Sequence, residues 1–274
     1  MLKIDYKYKR NELLKELTKL IKDEVICYKK SLDTRGFKNK YSYKIFIKAY
    51  IDKLESNLSW DRLGIIYKIS KSHIHNTYCK WVDYGIFKNV FNKFLESYSV
   101  YIDNNEAYID STTIFNKFGY IDSTGLNTYE SKKHKSNKLS IVASKNGIPL
   151  GIHINNGNIH DIKLLLDTLP KNPKFNLLYG DKSYISKNLK EELQRTKNIK
   201  LVHPYKNNQN LHNSNEEKEG LKNRMRIEHI NNKIKQNKGL NSRYIKDIVN
   251  FESLIYLGCL KIGLQVIIND FYNF

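Results

Sequence analysis

The feature that most constrains this chain is a change of hydrophobic period near residue 100. Before it, apolar residues recur at helical spacing. Leu13, Leu17, Leu20, Ile21 and Val25 do so between Lys9 and Ile26, and a second such segment runs from Tyr43 to Leu58. After it, beginning with Ala107-Tyr108-Ile109, short β-prone runs alternate with helical ones. That order predicts a helical region over 1–100 and an α/β domain over 105–274, with the boundary near Tyr98 to Asn105.

Within the helical region, Trp60 to Lys68 is a short amphipathic stretch and Ile69-Ser70 a break. Lys71 to Val82 is a second helix with Ile74, Tyr78 and Trp81 on one side. This is a helix-turn-helix pattern over about 59–82. In such a motif the second helix lies in the DNA major groove, which here would offer Lys71, Ser72, His73, His75, Asn76 and Lys80 to bases and phosphates. Lys and Arg total 47 against 28 Asp and Glu, a formal charge of +19. That excess points to a polyanionic partner, because each neutralised phosphate releases condensed counterions. AT-rich coding would also enrich lysine, and the chain has only Ala49, Ala107 and Ala143 as alanines.

Cys27, Cys79 and Cys259 have no paired spacing, so neither a zinc site nor a disulfide framework is expected. Met1 to Arg10 alternates charge with aromatics and does not read as a signal peptide. The expected location is intracellular, with DNA, and not secreted. The most apolar segment, Leu254 to Ile268, is shorter than the ~20 residues a bilayer crossing needs and contains Lys261 and Gln265. It reads as a core-facing terminal helix, with no membrane partner.

In the second region, Lys138 to Ser144 and Ile148 to Asn155 flank Asn146-Gly147, a dipeptide suited to a tight turn, so the two runs should pair antiparallel. A helix follows at about His160 to Leu169, a strand at Asn176 to Tyr179, a helix at Ser186 to Lys197 and a strand at Ile199 to His203. The polar segment Lys206 to Gly220 reads as a mobile loop before a helix over Leu221 to Lys238.

Asp110 closes Ala-Tyr-Ile and Asp181 closes Asn-Leu-Leu-Tyr-Gly, so each should stand at the carboxyl edge of a central strand. A carboxylate there is costly unless charge compensates it, and a bound cation would supply that charge. Helix geometry puts Arg224, Glu228 and Lys235 on one face, although such a face alone also suits a solvated surface with an Arg–Glu pair. Tyr108 to Thr112 recurs as Tyr120 to Thr124, which makes Asp122 a rival to Asp110; Asp110 is preferred because it follows an apolar strand that opens the fold.

Taken together, several segments resemble an insertion-sequence transposase of the Asp-Asp-Glu (DDE) class, RNase H-like and related to Harbinger-type nucleases. They are Tyr-Ile-Asp110-Ser-Thr, Lys138 before the hairpin with Gly147-Ile-Pro149-Leu, Gly157-Asn158-Ile-His160-Asp161, Gly180-Asp181-Lys182-Ser-Tyr184, and the spacing of Arg224, Glu228 and Lys235. The similarity runs from roughly Trp60 to Phe251. It implies an α/β fold with an RNase H-like mixed sheet and flanking helices, preceded by the helical region and its helix-turn-helix.

It further implies that Asp110, Asp181 and Glu228 bind divalent metal, Mg2+ or Mn2+, as two ions, with Asp110 bridging both. Water would attack first, and the freed 3′ hydroxyl would then attack target DNA. Arg224 and Lys235 would contact the phosphate or terminal nucleotides. His160, Asp161 and Tyr184 are candidates for supporting the centre, although His160-Asp161 also suits a helix cap. Lys132-Lys133-His134-Lys135 is either a solvated run or a grip on DNA.

The partners expected are transposon ends and target DNA, with a homodimer or larger assembly on them. The activity expected is a DNA transposase that cleaves and transfers strands. The alternatives are a domesticated or inactive DDE-type endonuclease and a non-enzymatic DNA-binding protein. Two departures from the family pattern remove no metal ligand. Leu221 stands where a tyrosine often precedes the arginine, and Ser183 where glycine commonly follows Asp-Lys.

Overall fold

The computed structural model describes residues 2–31, 40–103, 105–117, 124–129, 132–205 and 212–272. The chain forms two compact units, one from Met1–Ser99 with Ile234–Phe274 and the other from Val100–Lys233.

The first unit is helical: α1 (Leu2–Ser31), α2 (Tyr43–Ser56), α3 (Trp60–Tyr67), α4 (Lys71–Asp83) and α5 (Ile86–Ser97). Helices α3 and α4 match the helix-turn-helix read from the sequence. Each opens on a serine that caps it, Ser59 accepting from the Arg62 N–H at 3.2 Å and Ser70 from the His73 N–H at 3.3 Å. Between them Lys68 takes a left-handed conformation, φ 54°, and the Ile69 N–H returns to the Gly64 carbonyl at 3.0 Å. Gly64 is the crossing point, because a Cβ there would stand 2.8 Å from the Ile69 carbonyl oxygen, a backbone atom with no room to yield. The buried side of α4, Ile74, Tyr78 and Trp81, packs into an aromatic cluster with Tyr50, Trp60 and Phe87.

The terminal helix of this unit gives the cluster its apolar neighbour. Within Ile248–Asp270, 78% of the most apolar window is buried, the pattern of a core helix although length and composition alone would let it span a bilayer. Its Lys261 is buried and answered by Glu55 at 2.8 Å and by the Asn237 amide oxygen at 2.9 Å.

Among the described residues the second unit holds six strands: β1 (Glu106–Asn116), β2 (Gly125–Tyr129), β3 (Lys132–Ser144), β4 (Pro149–Asn156), β5 (Leu177–Tyr179) and β6 (Lys200–Val202). The sheet is mixed, as expected for an RNase H-like fold. β3 is antiparallel to β1 on one edge and to β2 and then β4 on the other, while β5 and β6 run parallel to β1. The Asn146-Gly147 turn joins β3 to β4, with the Ser144 N–H donating to the Ile148 carbonyl at 2.9 Å. Helices α6 (Asp161–Thr168) and α7 (Lys187–Lys197) supply the crossovers between strands.

The polar segment after β6 differs from its reading as a loop running to Gly220. Residues 206–211 lie outside the described residues, but α8 (Asn215–Asn223) is already helix, and α9 (Met225–Gln236) follows after a break at Arg224. The cause is a reciprocal cap: Ser214 accepts from the Glu217 N–H, and the Glu217 carboxylate accepts from the Ser214 N–H. The chain then completes α10 (Lys238–Asn241) and α11 (Ile248–Tyr272).

Candidate active site

Asp110 does not close its strand. It is the fifth residue of an eleven-residue β1, paired across to Ile141 of β3. What ends near it is the pairing with β5, whose last couple is Tyr108 with Tyr179. Asp110 and Asp181 each stand two residues past that couple, so strand alternation turns both toward the face where the Tyr108 and Tyr179 rings stack at 5.6 Å. The neighbouring residues Ile109, Ser111 and Gly180 belong to the opposite face.

Asp181 opens a single 3-10 turn, Lys182–Tyr184, and its Oδ1 accepts from the Ser183 N–H at 2.8 Å and from the Ser183 hydroxyl. The Tyr184 ring folds to the other face, fully buried. Burial, followed by the charges of Asp161, Asp110 and Asp181, pushes its hydroxyl pKa well up, so it stays protonated. That hydroxyl faces the Ser140 hydroxyl, short of a hydrogen bond of good geometry.

Glu228 arrives on the two helices that cover the Tyr108–Tyr179 face. Gly220 of α8 lets that helix approach, since a Cβ there would overlap the Tyr179 ring. Past the break at Arg224, α9 buries Ile227 and Ile230 and leaves Glu228 half exposed, its Oε1 accepting from the Arg224 guanidinium at 3.1 Å. One turn on, the buried Asn231 donates from Nδ2 to Asp110 Oδ2 at 2.9 Å, and its own buried Oδ1 has no partner among the described residues. Sequence reasoning missed Asn231. The available signal was its place three residues after Glu228, on the same helix face.

These groups act on one another electrostatically. The Asp110 carboxyl is pushed up to about 6, first by burial and then by the charges of Asp181 and Glu228, against the opposing pull of the Ser111 N–H and Arg224. Among the described residues, no three His, Cys, Asp or Glu side chains are gathered closely enough to hold an ion. The donor set nevertheless fits a hard divalent cation. It offers three carboxylates whose mutual repulsion a cation would relieve, an unpartnered amide oxygen beside them, and a Glu228 side chain exposed enough to turn inward.

The other predicted residues fall in several places. Asp122 lies outside the described residues. Lys235 is on α9, past the residues assigned to the sheet unit. His160 is the N-cap of α6 but makes no side-chain cap bond, which corrects the capping reading; the Asp161 carboxylate turns instead to Lys138 and Ser111. On α4, Lys71, Ser72, His73, Asn76 and Lys80 are exposed, while His75 is half buried against the Trp60 ring at 5.1 Å. Lys71 also pairs with Asp61 at 3.1 Å.

A mixed sheet in the order β2-β3-β1-β5-β6, with β4 on β3, and two aspartates at adjoining strand positions under a glutamate-bearing helix define an RNase H-like protein with an acidic centre. Residues 115–260, more than half of the chain, match the family model of the transposase DDE domain, and the chain belongs to that family. Asp181 and Glu228 fall inside the matched residues, and Asp110 lies just before them.

No curated protein sequence matches the chain. Similar solved structures include a pre-cleavage Mos1 transpososome and the Mos1 mariner paired end complex with Mn. Each is 12% identical with a TM-score of 0.26, over 78% of this chain and 83% of that one. The Mos1 strand transfer complex is 13% identical with a TM-score of 0.25, over 78% of this chain and 82% of that one.

Proposed function

We propose that this protein is a transposase that cleaves and joins DNA strands with divalent metal held by Asp110, Asp181 and Glu228. The observation that carries the reading is the placement of Asp110 at one sheet face within the field of Asp181 and Glu228, where burial first and their charges after it raise its carboxyl to about 6. Family membership supports it. Two bound ions would neutralise the phosphate and lower the pKa of an attacking water.

The chain's own residues prepare that centre. Asn231 fixes one oxygen of Asp110 and leaves the other to the site, and Ser183 fixes Asp181 through two donors. Arg224 holds Glu228 and, when Glu228 turns inward, presents its guanidinium to a phosphate. Burial makes the Asp110 charge costly, raising its carboxyl to about 6, and bound divalent metal would relieve that cost. DNA held by α4 is the second half of this reading, and Lys235 is assigned to the terminal nucleotides.

Purified protein with supercoiled DNA and Mg2+ or Mn2+ tests it. Cleavage followed by joining of a cut end to the plasmid is expected. Nicking without joining favours a DDE-type nuclease, and metal-independent retention alone favours a DNA-binding protein. The exposed Lys80 of α4 supplies a further test, read by the salt dependence of duplex binding. Lys80→Ala is expected to weaken binding uniformly across sequences and to lower the log–log salt slope by about 1. An unchanged slope removes Lys80 from the interface.

A further inference from the structure

One motif remains outside the chemistry above: Asp161 with its partners on the reverse face of the sheet. Strand register puts Ser111 opposite Ser140 and Thr113 opposite Lys138, so Ser111 and Lys138 share the face that α6 covers, away from Asp110. There the Asp161 Oδ1 accepts from the Lys138 ammonium at 2.8 Å and from the Ser111 hydroxyl at 2.5 Å. The Ser183 hydroxyl, whose proton goes to Asp181 Oδ1, lies close enough to act on this carboxylate electrostatically. Burial pushes Asp161 up, but Lys138 and the hydroxyls of Ser111 and Ser183 outweigh it and hold the carboxyl below its ordinary value. It therefore remains a permanent anion at the first turn of α6, where the helix dipole favours it.

The placement is specific. Ser111 is the residue after Asp110, and Ser183 is the one whose N–H and hydroxyl engage Asp181. We propose that the Lys138–Asp161 ion pair, through the hydroxyls of Ser111 and Ser183, is a positioning device that fixes Asp110 and Asp181 from behind the sheet for metal binding. The 3-10 turn makes the connection, carrying the chain from Asp181 on one face to Tyr184 on the other with Ser183 between them. A purely stabilising ion pair would need neither serine, and its loss would cost folding rather than metal affinity. Hydrogen bonds to metal-ligating carboxylates instead tune the affinity of the centre.

This inference rests on Asp110 and Asp181 being metal ligands, so the experiment separates the two ideas. Mn2+ alone is titrated into the full chain without DNA, binding is followed by calorimetry, and thermal unfolding is recorded in chelator. Ser183→Ala and Asp161→Asn are each expected to weaken Mn2+ binding about 10–100-fold. Ser183→Thr, which keeps the hydroxyl, should bind as the parent does. Asp181→Asn is the reference. If it loses binding while Asp161→Asn and Ser183→Ala bind normally, the positioning role is overturned and the ligand reading stands. If Asp181→Asn itself binds as the parent does, the ligand reading fails, and this inference with it. Should Asp161→Asn not fold, Ser111→Ala, which removes a donor to Asp161 and leaves both Asp181 donors in place, gives the decision.

Discussion

Asp110→Asn is expected to abolish strand cleavage and, without divalent metal, to make the sheet unit more stable at neutral pH. Loss of a carboxylate that would hold metal removes several kcal/mol of charge stabilisation in the reaction, a fall of about 10³-fold or more in rate. The stability effect has the opposite sign because the folded protein resists ionising this group. Its pKa is raised from 3.8 to about 6 by burial and by Asp181 and Glu228. Below pH 3.8 Asp110 is protonated in both folded and unfolded chains and costs nothing. As pH rises through about 6 the cost of ionisation appears in full, so the parent loses stability over that window and the asparagine variant does not. At about 1.4 kcal/mol per pKa unit, discounted for partial exposure, the gain is about 1–3 kcal/mol. Melting curves in chelator between pH 4 and pH 8 check it, and a variant no more stable than the parent at pH 8 would contradict the electrostatic account. Mn2+ should then stabilise the parent and leave the variant unmoved.

Arg243→Ala carries the largest expected loss of stability. Arg243 is fully buried, the largest such side chain among the described residues. Its guanidinium donates to the Ile245 carbonyl at 2.9 Å and the Lys246 carbonyl at 2.5 Å and lies 5.9 Å from the Phe251 ring centroid; burial pulls its pKa down, opposed in part by the charge of Asp247. Truncation leaves two backbone acceptors without these donors and opens a cavity beside α11, together costing about 3–5 kcal/mol. Arg243→Lys keeps the charge but not the planar fork, so it should recover only part of that loss. Denaturant unfolding of the two variants against the parent checks the order. A loss under about 1 kcal/mol for the alanine variant would mean that the backbone finds other donors.

Much of this architecture was legible from local signals. The helix-turn-helix followed from apolar spacing broken at Ile69-Ser70, and β3 with β4 from Asn146-Gly147, because both are patterns within a dozen residues. Asp110 was found as a residue but misplaced within its strand. The polar run Ser111-Thr112-Thr113 looks like a strand end, whereas β1 continues through it as a partner of β3. The helix α8 was missed although its signal was present, Ser214 with Glu217 three residues on. The place of Asn231 on the Glu228 face was readable, but its contact with Asp110 and the Lys138–Asp161 pair were legible only in three dimensions. Each joins residues more than 20 positions apart, and no period or spacing in a single segment encodes such a contact.

The turn between α3 and α4 rests on backbone meeting backbone at Gly64, with no side chain among its nearest atoms. The close approach of the two helices is therefore insulated from most of the amino acids that α4 displays, Lys71 with its ion pair to Asp61 and His75 on Trp60 being the exceptions. Lineages descended from such a chain can rewrite Ser72, His73, Asn76 and Lys80, all exposed, while the turn that sets the helix carrying them is inherited unaltered.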